Sequence, residues 1–278
     1  LNTYAKPILN MPVEYIGQDD VLRCVEPIWT TKTETASRVR QRIEKVLDWA
    51  TVRKYRKGDN PARWKGHLDT LLPKPTKLKK VQHRPALPYK EIGLFMSELR
   101  LKKSLSAKAL ELLILTATRP IETFGAKWEE FDLDDNRWVI PGERMKAGKE
   151  HEIPLSDRAV EVLRSIPRVS GGDYVFPGTK LEKPMSTAAG MKVLKSLRPN
   201  IHQHGFRSTF RDWAAEQTSY ERLVIEHALA HQLKDKAEAA YHRATMLPKR
   251  IKLMQAWRNY SAVIPYTSDN VSLIRSVK

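Results

Sequence analysis

Apolar residues fall into helical stripes along most of this chain, with short β-type runs confined to one region. Val39, Ile43, Val46, Leu47 and Ala50 recur at helical spacing and predict an amphipathic helix, with Arg38, Arg42 and Lys45 off that stripe. The Thr31-Lys32-Thr33-Glu34 spacing ahead of it is that of a capping box and predicts the helix start. Asn60-Pro61 reads as an N-cap and a first-turn proline, opening a second helix with the stripe Trp64, Leu68, Leu71 and Leu72. Ile92, Phe95, Met96 and Leu99 mark another amphipathic helix. Ser106 to Leu115 is almost wholly apolar after its start, as expected at the centre of a core. Arg137-Trp138-Val139-Ile140 and His151-Glu152-Ile153-Pro154-Leu155 are the β-type runs, and the charged, Gly-containing stretch between them predicts a hairpin with a long tip. Helical patterns then dominate, over Ala159 to Leu163, Ala188 to Leu197, Phe206 to Ala215, Leu223 to Leu229 and Ile251 to Tyr260. The expected class is mainly α (α+β): a small helical domain, then a larger helical domain with a small antiparallel sheet.

Charge changes the picture. The 278 residues carry 49 Lys and Arg against 32 Asp and Glu, a formal net charge of +17. That excess is too large for solubility alone and points to a polyanionic partner. No apolar run approaches the ~18 residues that span a bilayer, so membrane insertion is excluded. Cys24 is the single cysteine, which rules out a disulfide framework or a Cys-based zinc site and suits a reducing cytoplasm. The chain starts at Leu1 without a signal-peptide pattern, so a fragment lacking its upstream part is expected.

Between Pro73 and Lys90 stand Lys74, Lys77, Lys79, Lys80, Arg84 and Lys90, four prolines and no acidic residue. Prolines and like charges predict an extended basic linker. The expected division is a helical domain over 1–73, a linker over 74–87, a larger domain over 88–262 and a tail over 263–278. A solvated charge run is the commoner meaning of such a segment. Between two basic domains it also suits a chain wrapped around a duplex, with Arg38, Arg42, Lys45, Lys77, Lys79 and Lys80 as candidate DNA contacts. The tail carries Val263, Ile264, Val271, Leu273 and Ile274, which would either reach a neighbouring copy or fold back.

Several standard sites are absent: there is no Gly-x-x-x-x-Gly-Lys-Ser/Thr loop, no Gly-x-Gly-x-x-Gly and no His-Glu-x-x-His. The acidic residues do not cluster as a two-metal nuclease requires. Neither a cofactor nor a metal is expected, and phosphate chemistry would run on cationic side chains. Such residues appear in order along the second domain. Arg119 sits at the junction of the buried helix and a Pro-initiated one, with Glu122 one turn on and able to orient its guanidinium. Lys146 lies in the hairpin tip. His204 and Arg207 share a helix face. His231 follows Ala228-Leu229-Ala230, and Tyr241 stands ten residues later. Lys149, His202, His227, His242, Tyr220, Tyr260 and Tyr266 are the competitors: only His204 stands three residues before an arginine, His227 fits packing in a helix, His242 fits a local hydrogen bond, Tyr260 and Tyr266 fit the core, and Lys149 and Tyr220 stay open at this point. Arg211, one turn beyond Arg207, is assigned to the DNA backbone or to a salt bridge.

This order of Arg, hairpin Lys, His-x-x-Arg, His and Tyr resembles the tyrosine recombinase family, the site-specific integrases of temperate phages and genomic islands. The likeness extends to Lys32-Thr33-Glu34-Thr35-Ala36-Ser37-Arg38, Asn60-Pro61-Ala62-Arg63-Trp64 and Ala86-Leu87-Pro88-Tyr89. It implies a core-type DNA-binding domain and a catalytic domain closing as a C-shaped clamp on double-stranded attachment-site DNA, without the upstream arm-binding domain. By the same resemblance, Arg119 and Arg207 clamp the scissile phosphate, His231 adds a hydrogen bond, and Tyr241 attacks phosphorus. His204 is then the base, and Lys146 protonates the leaving 5′-oxygen. The resemblance further implies a homotetramer on DNA and accessory DNA-bending and directionality factors. A type IB topoisomerase-like enzyme and a non-catalytic DNA-binding module are the alternatives. Ala230 stands where the family often has glycine, so the backbone there is the point of departure.

Overall fold

The computed structural model describes residues 2–78, 85–231 and 245–264, and the chain divides into two units, Leu1–His83 and Arg84–Lys278.

In the first unit, α1 (Gln18–Val25) and α2 (Thr33–Val52) pack together. Their core includes Val21, Val25, Trp29, Ala36, Val39, Ile43, Leu47, Leu68 and Leu72. Val46 is not part of it: it is 47% exposed, and Arg40 takes the inward position. Arg40 is tolerated there because its guanidinium donates to the carbonyl of Ala62 (2.5 Å), pairs with Glu44 (2.9 Å) and lies over the Trp64 ring. The expected capping box does not form. Lys32 N–H donates to Ile28 O at 2.8 Å, which keeps Thr31 in the preceding turn, and Glu34 pairs with Arg38 instead. No α-helix follows Asn60-Pro61 either. Asn60 ties its loop to α2 through Glu44 O (2.8 Å) and Asp48 (2.6 Å), Gly66 takes a φ of +72, and only Leu68–Thr70 forms a 3₁₀ turn. Arg38, Arg42 and Lys45 lie on the exposed face of α2. The basic linker is not wholly extended, because Pro75 starts a one-turn helix, α3 (Pro75–Leu78). Lys77 is exposed on it, whereas Lys79 and Lys80 lie outside the described residues.

The second unit is built around α5 (Leu105–Thr116), capped by the Ser104 hydroxyl. Nearly every side chain from Ala107 onward is buried, and α4 (Ile92–Arg100), α6 (Pro120–Phe124), α7 (Asp157–Arg164) and α8 (Thr187–Leu197) pack against it. A three-stranded antiparallel sheet, β1 (Phe131–Asp132), β2 (Arg137–Ile140) and β3 (His151–Pro154), carries the expected hairpin, with Trp138 opposite Ile153. The strand β1 was not expected; it pairs Phe131 with Trp138. The chain continues through α9 (Gly205–Gln217), α10 (Arg222–Ala228) and α11 (Leu247–Ala262). Phe210, Trp213, Trp257 and Tyr260 form one aromatic cluster, and the Trp257 indole donates to Ile114 O of α5 at 2.8 Å. The carbonyl of Val263 lies so close to Gly93 of α4 that a Cβ there would come within 1.8 Å of it, so the tail starts against its own unit. Val271, Leu273 and Ile274 lie outside the described residues.

Candidate active site

The helix α5 ends at Ala117, whose φ of +50 turns the chain sharply. The hydroxyls of Thr116, Thr118 and Thr123 hydrogen-bond in series across this turn, at 2.9 and 2.5 Å. Arg119 then becomes the N-cap of α6, with Pro120 at the first helical position. Glu122, 2% exposed, accepts from both the Arg119 backbone N–H (2.8 Å) and its guanidinium Nη1 (2.7 Å). One carboxylate thus fixes the turn and the side chain, as the spacing predicted.

Arg207 projects from α9 and is 5% exposed. Its Nη1 donates to Ala117 O at 2.6 Å, and its Nη2 donates to Leu229 O. It therefore joins the Arg119 turn to the segment leading to His231. Burial, together with the charge of Arg119 and partly offset by Glu122 and Glu226, brings the guanidinium down from its ordinary value to about 10. It stays charged at neutral pH.

Lys146 is held out on the hairpin tip, just after buried Met145. The neighbouring Arg144 anchors that tip: it pairs with buried Glu130 and donates to the carbonyl of Glu122 at 2.6 Å. Glu130 also accepts from the Trp138 indole at 2.9 Å. A hydrogen-bonded chain therefore runs from the hairpin to the residue that orients Arg119.

His231 follows Ala230, which adopts a φ of +48. Its Nδ1 meets the Glu226 carboxylate at 2.5 Å, and its backbone N–H donates to Glu226 O at 3.0 Å. The glycine-like conformation that the sequence left open is thus taken up by alanine, at a steric cost.

Arg119, Lys146, Ala147, Ala230 and His231 are the described residues lining one open cavity of about 320 Å³. Two cations of this ring, with Arg207 close to Arg119, make an anion site. Lys146, not Lys149, is the hairpin lysine on it. His204 is not among the residues lining the cavity. It is exposed one turn before Arg207, with its backbone N–H donating to His202 Nδ1 at 3.1 Å. Arg211 is half exposed and pairs with Glu226 at 3.0 Å. Tyr241, with His242 and Arg243, lies outside the described residues. Among the described residues no group of three or more His, Cys, Asp or Glu could hold a metal ion, and no helix is long and apolar enough to cross a membrane.

Sequence reasoning missed four contributors: Glu130, Arg144, His151 and Glu226. At the start of β3, His151 is pressed down to about 3, by burial first and then by Arg250, with smaller effects from Arg207 and Arg119; its hydrogen bond to the Ala228 backbone acts the other way. It is a neutral donor wedged among three arginines, linking the hairpin to the segment before His231. Its one available sequence signal was a histidine opening the second β-type run, directly after the charged hairpin tip.

Residues 86–271 match the model of the phage integrase family, and residues 1–67 match that of the phage integrase central domain. The chain is 34% identical over 240 residues to the prophage integrase IntZ of Escherichia coli K12, covering 85% of this chain and 58% of that protein. It is 29% identical over 250 residues to the integrase of Enterobacteria phage P4, covering 82% and 55%. The chain thus spans little more than half the length of these curated relatives. Among solved structures, a lambda integrase dimer (residues 75–356) bound to a COC′ core site has a TM-score of 0.59 at 18% identity, covering 80% of this chain and 81% of that one. A lambda integrase tetramer bound to a Holliday junction has a TM-score of 0.58 at 16% identity, covering 80% and 66%. At these identities the likeness is one of fold.

Proposed function

This chain belongs to the phage integrase family, and on that premise we propose that it is a site-specific DNA recombinase that cuts and rejoins strands through a tyrosine–phosphate link, integrating or excising a mobile element. In this reading the Tyr241 oxygen attacks a backbone phosphorus and the bond to the 5′-oxygen breaks. A 3′-phosphotyrosine and a 5′-hydroxyl result. The transition state gains negative charge on the non-bridging oxygens, where Arg119, Arg207 and His231 stabilise it at a value of about 3–4 kcal/mol for a preorganised donor. Lys146 protonates the leaving oxygen. A phenol of pKa ~10 is a weak nucleophile at neutral pH, so proton removal by His204 and the positive surroundings assist it. Attack by another strand's 5′-hydroxyl reverses the steps and conserves the bond energy, so neither ATP nor metal is consumed.

The observation that carries the reading is the convergence of Arg119, Lys146 and His231 on one cavity, with Arg207 beside Arg119. The excess of 17 positive charges supports duplex DNA as the partner, bound with steep salt dependence. Exposed Arg38, Arg42, Lys45 and Lys77 are the backbone contacts of this reading, with Lys79 and Lys80 continuing the basic run. The working unit is four copies on two attachment sites, with DNA-bending and directionality factors as further partners, acting in the cytoplasm of the bacterial host. The test uses nicked duplexes drawn from the ends of the element carrying the gene. Incubation in EDTA followed by denaturing electrophoresis gives a covalent protein–DNA band that Tyr241→Phe abolishes. A band that persists in Tyr241→Phe, or none on any end sequence, overturns the proposal.

A further inference from the structure

Glu226 sits on α10 with its side chain 13% exposed, between two residues given separate roles above. One carboxylate oxygen meets His231 Nδ1 at 2.5 Å. The other accepts from Arg211, Nε at 3.1 Å and Nη2 at 3.0 Å. The Glu226 carbonyl also holds the His231 backbone N–H at 3.0 Å. Ring and backbone of His231 are thus tied to one residue, across the turn that Ala230 makes with its φ of +48.

We propose that Glu226, clamped by Arg211 from α9, is a positioning residue of this site: it accepts the Nδ1 proton of His231 and thereby presents Nε2 to the phosphate. The proposal rests on the recombinase reading and deepens it. An imidazole has two distinct nitrogens, and the partner of one decides which face of the ring does the work. A carboxylate only accepts, so Nδ1 keeps its proton towards Glu226, and Nε2 is the nitrogen left to the cavity that His231 lines; as the imidazolium, with Nδ1–H held by Glu226, the ring donates Nε2–H to a phosphate oxygen. Burial would raise the Glu226 carboxyl, but the His231 hydrogen bond and the Arg211 charge together hold it below its ordinary value, so it remains a carboxylate at neutral pH. Arg211 then serves catalysis by fixing the carboxylate's angle, and the DNA-backbone contact expected of it is secondary. A plain salt bridge stapling α9 to α10 would contribute little on a half-exposed surface and would act without His231.

The replacement Glu226→Gln keeps the volume and tests this in the full chain. A carboxamide has one accepting oxygen and a donating nitrogen, so it cannot accept from Arg211 and His231 Nδ1 on separate atoms. Adduct formation on the nicked end duplex should slow by about 10- to 100-fold, the range carried by partners that orient a working histidine in metal sites. In a His231→Ala background, Glu226→Gln should cause no further loss. Long-range ¹H–¹⁵N spectra of histidine-labelled protein without DNA should show His231 protonated at Nδ1, and Glu226→Gln should change that pattern. An unchanged rate, an equal loss in the His231→Ala background, or unchanged His231 nitrogen shifts would each overturn the proposal. If the unsubstituted chain forms no adduct, the recombinase reading falls, while the ring spectrum still decides whether Glu226 sets the tautomer.

Discussion

Replacing Arg207 by lysine keeps a positive charge and removes the fork, and two separable losses should follow. Arg207 bonds Ala117 O at 2.6 Å and Leu229 O with different terminal nitrogens, and both carbonyls are buried around it. An ammonium is a single point on a flexible stem and cannot hold both carbonyls and also face a phosphate. Orphaning one buried carbonyl costs about 1–3 kcal/mol of stability. The surroundings that bring this guanidinium down to about 10 also act on a lysine, which starts from a lower value and keeps its charge less firmly. Losing a preorganised two-pronged donor to the reacting phosphate costs about 10²- to 10³-fold in the chemical step. Urea denaturation reads the first loss. Single-turnover cleavage of a nicked end duplex at saturating protein, well below the denaturation midpoint, reads the second. If Arg207→Lys cleaves within threefold of the parent while its stability falls, Arg207 is a structural tie and the phosphate clamp is wrong.

The remaining predictions concern the supports of the site. Between pH ~6.5 and the folded His151 value of about 3, the unfolded chain binds a proton that the folded chain refuses, so stability falls with pH by up to about 1.4 kcal/mol per unit. Urea midpoints at pH 7 and pH 5 should converge in His151→Asn relative to the parent; an unchanged gap refutes the half-buried neutral imidazole. Ala230→Gly relieves a left-handed φ of +48 and should stabilise by up to about 1 kcal/mol, read by thermal denaturation, whereas a drop in Tm would contradict that backbone geometry. Gly190→Ala would put a Cβ 2.3 Å from the ring of Phe124, the last residue of α6, and 3.0 Å from Gln203 Nε2, which donates to Thr187 O of α8. It should destabilise by about 1–3 kcal/mol in urea, and a neutral result would show that α8 has room to shift.

The parts of the fold legible in the sequence are those where one residue type decides one position. The apolar run of α5, the hairpin strands and the Arg119–Glu122 pair follow from periodicity, β-type composition and one-turn spacing, and each is found. The failures share a cause: a tertiary partner outweighed a local signal. Thr31 looked like a cap, but the preceding turn extends to the Lys32 N–H and the helix starts one residue beyond it. Asn60-Pro61 had helix-starting chemistry, and Asn60 Oδ1 does accept from Ala62 N–H at 2.9 Å, but its amide is tied to α2 and the turn is not continued as a helix. Arg40 gives no local signal for burial, and only the Ala62 carbonyl, remote in sequence, shows why it turns inward. Glu226 and Glu130 carry no sequence signal of their roles, because Arg211 and Arg144 meet them only once the chain has folded. Val46 shows the converse, an apolar residue at helical spacing with nothing to cover it.

The central claim is that two guanidinium groups answer the charge of one phosphate, and removing that charge tests it most directly. A nicked end duplex with a methylphosphonate at the mapped cleavage position presents a neutral phosphorus to the site. The account predicts that Arg119→Ala, severely impaired on the natural phosphate, cleaves the methylphosphonate duplex at a rate approaching that of the unsubstituted chain. If neutralising that phosphorus leaves Arg119→Ala as impaired as before, the guanidinium does not act on the reacting phosphate and the account is contradicted.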